Sequence, residues 1–350
     1  MRISQGNLAD ALAAIGKNDK AAEHLLRALR EIETEFDWTE FDVRENITGP
    51  FVDGMYSEDS EVEKELKDGL VFRANYTSKI IRDFLLTEDK PQYVWEPQTS
   101  HALLELSKGA KTVLIGGAYI GDHAVLIANQ IGPDGKVHCF EPGTNSARLL
   151  RTNAKRNGID NIVVREMGLW GAESQLKLDG DDSHAAPTLA DEGDDSFSAT
   201  TIDNYCASEG IGKIDLIQLD IEGGELEALK GAEKLLSDPE RAPDAIVFEV
   251  HSLYTDWSNG LENVDIVQYL KGFGYTVYGV RDYNGNEPME GRPIELVPAE
   301  RSYIEGPPHG FNMLGIKDDS RAHTAPFKVV HDVSPKLLRH RDQSLYGPLS

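Results

Sequence analysis

Thr112-Val-Leu-Ile-Gly-Gly-Ala-Tyr-Ile-Gly121 is the stretch on which the fold turns. An apolar run of strand type breaks into glycines, and a helical pattern follows at Ile120–Ile131. Glycines let a backbone pass close to a ligand, and a helix N-terminus favours negative groups. In open parallel sheets ligands lie over the carboxyl ends of the strands. Gly117, Ala118, Tyr119 and Gly121 are therefore candidate cofactor contacts. A dinucleotide G-x-G-x-x-G fingerprint does not fit in either frame, because Ala118 or Tyr119 stands where the second glycine is needed.

Outward from this turn, apolar runs alternate with helical patterns. The spacing predicts strands over 112–115, 136–140, 161–165, 214–219 and 245–250. It predicts helices over 146–157, 201–209, 225–236 and 264–273. Such alternation implies an α/β fold, a parallel sheet with helices on both faces. Two late strands, 275–280 and 311–316, have no helix between them, which implies an antiparallel final strand. Upstream, residues 1–35 read as a helical hairpin, with stripes Leu8, Ala11, Leu12, Ile15 and Ala22, Leu25, Leu26, Leu29, Ile32. The hairpin resembles a single tetratricopeptide unit without a second copy, and packing or homodimerisation is its expected role. Residues 36–100 are expected to form a cap, helical at 61–67 and 78–86. Residues 101–317 are expected to form the catalytic domain. The stretch 179–198 is acid-rich and reads as an exposed loop, with Asp179–Asp182 as a solvated lid. Residues 318–350 read as a polar tail.

The chain has 350 residues and a formal net charge of −25. That charge repels nucleic-acid backbones and anionic membranes. No apolar run approaches the ~18–20 residues of a membrane-spanning helix, and residues 1–30 lack a signal-peptide pattern. Two cysteines, Cys139 and Cys206, fit a reducing cytoplasm, the expected location. The sequons at Asn46 and Asn75 are then chance matches.

The next strand ends Cys139-Phe-Glu-Pro142, which places Glu141 24 residues beyond Gly117. An acid there can accept both hydroxyls of a ribose. Its plainer alternative is a cap on the following helix. Glu141 and Pro142 join the cofactor candidates, with Gly168 and Leu169 after the 161–165 strand. Turn and acid together mark a nucleoside site without dinucleotide spacing, and S-adenosylmethionine fits it. The central strand delivers Asp220 and Glu222 in Leu219-Asp-Ile-Glu-Gly223, both to one side if the strand persists. The neighbouring strand delivers Glu249 and His251 in Phe248-Glu-Val-His251. Asp220 is a candidate contact to cofactor or metal, and Glu222, Glu249 and His251 are catalytic candidates. His251 can act as general base, ligate a metal or bond to backbone. Glu222 can orient substrate or cap a helix. Asp220, Glu222, Glu249 and His251 together have the donor types of a magnesium or calcium site. Tyr254 and Trp257 either line an acceptor pocket or pack in the core, and Asp122, His123 and His309 are weaker candidates.

These motifs resemble the FkbM family of S-adenosylmethionine-dependent methyltransferases. The resemblance spans about residues 98–317. It rests on Gly117-Ala-Tyr-Ile-Gly-Asp-His123, Phe140-Glu-Pro142, Thr201-Ile-Asp203, Ile214–Gly223 with Leu229-Lys-Gly-Ala232, Phe248–His251 and Asn312-Met-Leu314. It implies the class I methyltransferase fold, a Rossmann-like seven-stranded sheet with its last strand antiparallel. It also implies methyl transfer to a hydroxyl of a sugar or secondary metabolite. Where the family carries an acid two positions before its first motif glycine, this chain has Ile115. Rival readings are an N-methyltransferase, a non-catalytic adenosyl-nucleoside-binding scaffold, and an NAD-dependent oxidoreductase, the last disfavoured by Tyr119.

Overall fold

The computed structural model describes residues 5–36, 42–179, 186–307 and 309–349, which divide into two compact units. The first comprises Met1–Pro97, Gly285–Glu290 and Leu337–Ser350; the second comprises Gln98–Asn284 and Gly291–Lys336.

In the first unit, α1 (Gln5–Gly16) and α2 (Asp19–Glu35) form a helical hairpin. The Asn18 side chain accepts the Ala21 N–H and so caps α2. After α3 (Gly49–Met55), residues expected to be helical form instead β1 (Glu61–Glu65), paired antiparallel with β2 (Val71–Asn75). The reason is a period of two: Val62 is buried opposite Ala74, while Glu61 and Glu63 stay outside beside Arg73. α4 (Lys79–Leu86) follows. The buried Arg44 guanidinium is surrounded by Glu33, Asp83 and Glu287 at 2.7, 3.7 and 3.4 Å.

The second unit begins within α5 (Pro97–Leu106) and continues with β3 (Thr112–Gly116), α6 (Asp122–Ile131), β4 (Lys136–Phe140), α7 (Thr144–Arg156) and β5 (Ile162–Arg165). Next come β6 (Gly168–Leu169), β7 (Ser174–Asp179), β8 (Ala186–Leu189), β9 (Phe197–Thr200) and α8 (Ile202–Glu209). The remainder is β10 (Leu216–Leu219), α9 (Glu225–Lys230), α10 (Glu233–Ser237), β11 (Ala245–Val250), α11 (Asp265–Gly272), β12 (Thr276–Val280), β13 (Asp282–Tyr283), β14 (Ile294–Pro298), β15 (Phe311–Ile316) and β16 (Phe327–Val329). The main sheet has nine strands in the order β16-β14-β12-β15-β11-β10-β3-β4-β5. Its seven strands from β12 to β5 are the expected ones, with β15 antiparallel to both β11 and β12. This is the class I methyltransferase arrangement. β14 and β16 are additions beyond β12.

Three expectations are corrected here. The supposed polar tail contains β16, which pairs in parallel with β14, and buried Phe327 and Leu337. The acid-rich stretch contains β8 and β9, which join β6 and β7 in a four-stranded sheet; of the supposed lid, residues 180–182 lie outside the described residues. The single helix expected over 225–236 is two helices that meet beside Gly231, where a Cβ would fall 2.2 Å from the Trp170 carbonyl oxygen. Asp203 then accepts the Lys234 and Leu235 N–H groups, both at 2.9 Å, and starts α10.

The core lies between sheet and helices. Leu114, Phe140, Ile217 and Phe248 pack there with Ile202, Leu229 and Leu270. Its register positions the site. Gly116, Leu219 and Phe248 lie on one rung, with Phe140 beside Gly116. The next residue of each strand, Gly117, Asp220, Glu249 and Glu141, therefore arrives at one edge.

Candidate active site

The glycine turn is compressed between its neighbours. Gly117 and Ala118 donate N–H bonds to the Phe140 carbonyl at 2.9 and 3.1 Å, and Asp220 donates to the Gly116 carbonyl at 3.0 Å. Gly117 has φ +74°, and a Cβ there would stand 1.7 Å from the Asp220 carbonyl oxygen. Only glycine meets both conditions. Tyr119 also takes a left-handed conformation, φ +43°. Its N–H donates to Glu141 Oε2 at 2.8 Å, and the Gly143 N–H donates to Oε1 at 2.8 Å. Glu141 thus clamps the turn and tethers the Gly143 cap of α7, and each oxygen retains a lone pair for a ligand hydroxyl. Pro142 follows, half-buried. Leu169 lies in the core, its Cδ1 3.1 Å from where a Gly116 Cβ would stand, while Gly168 packs on Phe197.

The strand does not persist through Glu222. β10 ends at Leu219, and Glu222 lies in the left-handed region at φ +53°. Alternation therefore cannot be what brings Asp220 and Glu222 together. The loop does so, and register adds Glu249: one oxygen of each lies within 4.8 Å of the others. This spacing suits ligands of one hard cation as well as three parts of a proton-handling site. His251 stands outside that group. Its Nδ1 accepts the Leu253 N–H at 3.1 Å. Glu249 and His251 crowd Gly310, where a Cβ would fall 1.9 Å from Glu249 Oε1 and 3.0 Å from His251 Cδ2.

Burial and repulsion from neighbouring acids raise the pKa values of Asp220 and Glu222. Burial first, then Asp122 and Glu141, pushes Asp220 up to about 6. Burial, with Asp220 and Glu225 nearby, pushes Glu222 up to about 8. Burial raises Glu141 too, against the opposing pull of its two backbone donors. Asp122 and Glu141 are near enough to Asp220 to repel its charge, so three acids cluster beside the turn.

Sequence reasoning missed two supports. Glu225 Oε1 accepts the Ile221 and Gly223 N–H groups at 2.9 and 3.3 Å, fixing the loop that carries Glu222. Its signal was an acid in the first turn after Gly223-Gly224. Gln218 Nε2 lies 2.7 Å from His123 Nδ1, in a buried pair whose His123 Nε2 and Gln218 Oε1 lack protein partners. A lone polar residue inside an apolar strand was its signal. Tyr254 packs its ring on Gly223, 5.7 Å from the His251 ring. Trp257 packs on Phe311 and the core. His309 Nδ1 pairs with the Pro307 carbonyl at 3.1 Å.

Residues 116–277 match the family model described as the methyltransferase FkbM domain. No curated protein matches the chain. Among solved structures, it is similar to an S-adenosylmethionine-dependent methyltransferase from Agrobacterium tumefaciens, at TM-score 0.41 and 12% identity over 75% of this chain and 71% of that one. It is also similar to an O-methyltransferase from Bacillus cereus in complex with S-adenosylhomocysteine, at TM-score 0.34 and 15% identity over 63% and 81%. A precorrin-6y C5,15-methyltransferase from Geobacter metallireducens follows at TM-score 0.34 and 13% identity over 63% and 89%. Residues 116–277 are similar, through that family model, to the FkbM methyltransferases.

Proposed function

We propose that the chain transfers a methyl group to a hydroxyl of a small acceptor, a sugar or secondary metabolite, with residues 101–317 as its catalytic domain. The convergence of Asp220, Glu222 and Glu249 beside the Glu141-clamped turn carries this reading. S-adenosylmethionine, when bound, supplies an electrophilic methyl on a positively charged sulfur. Glu141 would hold the ribose hydroxyls, and the turn from Gly117 to Gly121, with Ala118 and Tyr119, would pass beneath. Pro142, Gly168 and Leu169 would shape the adenosine side. Asp220 would face the cationic end. Glu222 would take the acceptor's proton, because a carboxyl near 8 is matched to that task. His251, whose Nδ1 already accepts a backbone N–H, carries its neutral proton on Nε2 and orients rather than deprotonates. Glu249 would hold the acceptor hydroxyl.

Two measurements test the reading. S-adenosylhomocysteine should raise the melting temperature and NAD should not, with about 2.7 kcal/mol of stabilisation at 100 times the dissociation constant. Labelled methyl from S-adenosylmethionine should then appear on oxygen in a panel of polyhydroxyl acceptors. Equal stabilisation by NAD, or label on nitrogen alone, would count against it. The carboxylate spacing also favours a second reading, in which a divalent cation binds Asp220, Glu222 and Glu249 and positions the acceptor. Turnover abolished by a chelator and restored by magnesium would select it.

A further inference from the structure

Three of the exposed large apolar side chains belong to segments that adjoin the active-site residues. Leu178, Leu189 and Leu253 are 56%, 63% and 59% exposed. In the small sheet Leu178 pairs with Pro187, and Leu176 pairs with Leu189. Directly opposed residues of an antiparallel pair point to the same face, so Leu178, Pro187 and Leu189 share one surface. That surface abuts the catalytic loop: Pro187 Cγ lies 3.0 Å from where a Gly224 Cβ would stand, two residues beyond Glu222. Leu253 lies two residues beyond His251 and donates its N–H to that ring.

From this we infer that the acceptor is amphipathic. Its hydroxyl meets Glu222 and Glu249, and an attached hydrocarbon portion covers Leu178, Leu189 and Leu253. The inference rests on the methyl-transfer reading for the hydroxyl end alone. Two observations support the hydrocarbon end. The leucine surface is continuous with the carboxylate loop through Pro187 and Gly224. Secondly, these three leucines are more exposed than the other exposed large apolar side chains among the described residues, Leu8, Ile32 and Phe36, at 42%, 39% and 47%. An apolar arm gains free energy by covering them, whereas a wholly polar sugar does not.

n-Alkyl β-glucosides from butyl to octyl, each below its micelle concentration, are the probes. Binding is measured by calorimetry with and without S-adenosylhomocysteine. Affinity should rise about threefold to fourfold per added methylene, the free energy of burying one CH2. In Leu178→Gln/Leu189→Gln/Leu253→Gln the rise should flatten while S-adenosylhomocysteine affinity stays unchanged. A slope absent from the wild type, or equal in the triple variant, overturns the inference. So does a wild-type dimer that the triple variant dissociates in sedimentation, because a second copy would then cover the leucines. Failure of S-adenosylhomocysteine to bind sinks the methyl-transfer reading instead, and the alkyl slope is still read without it.

Discussion

At the residue scale, the site is set by a few backbone conformations and the carboxylates they aim. Gly117→Ala combines a left-handed φ with a collision against the Asp220 carbonyl, which belongs to backbone and cannot swing aside. The expected cost is at least about 2 kcal/mol, with loss of S-adenosylhomocysteine binding, both read from denaturant titration and calorimetry. Glu141→Gln keeps the shape but turns one acceptor oxygen into a donor facing a backbone N–H. Affinity for S-adenosylhomocysteine should fall about tenfold to hundredfold, with the protein still folded. An unchanged affinity would reduce Glu141 to a tether for Gly143. Glu222→Gln should lower turnover by about 10²–10⁴-fold. In the wild type, turnover should climb as pH rises through about 8, where Glu222 loses its proton, and that climb should vanish in the variant. A retained inflection would assign the base elsewhere.

At the element scale, the additions beyond β12 are structural. β16 covers the outer edge of β14, and Phe327 is buried beside it. Phe327→Ala should cost about 3 kcal/mol in denaturant unfolding, as other large-to-small changes in cores do. Stability within about 0.5 kcal/mol of wild type would mean that this strand contributes little. The small sheet differs in kind: Trp170 and Pro187 press on Gly224, and Trp170 also closes α9 at Gly231. It therefore shapes the loop carrying Glu222.

At the scale of the whole molecule, charge dominates. The formal charge of −25 repels itself, and Asp220, Glu222 and Glu225 titrate at about 6, 8 and 7 when folded, against 3.8, 4.5 and 4.5 for the free groups. Between those limits the folded state holds protons that the unfolded chain has already released. Stability is then fullest below about pH 4.5 for these groups and is lost as pH rises toward 8. The melting temperature should be higher at pH 5.5 than at pH 8.5 by about 4 °C or more, and added salt should narrow the gap. A higher melting temperature at pH 8.5 would show that these groups are paired when folded.

The alternation of apolar runs with helical stripes was readable along the chain because burial of one strand or helix face imposes a local period. The glycine turn and Glu141 were readable for the same local reason: the residue types carry the chemistry at that spacing. Gly231, β8, β9, β14 and β16 were not, since their states depend on partners distant in sequence. Trp170 crowds Gly231 where α9 ends, and β14 recruits a segment that looks like a polar tail. The catalytic grouping lies between these cases. The residues at 220, 222 and 249 were visible in the sequence, but alternation was the wrong reason for their meeting. Strand register and the left-handed turn at Glu222 bring them together; hydrogen bonds between strands distant in sequence set the register, and Glu225 with the packing of Tyr254 on Gly223 sets the turn, which no periodicity records.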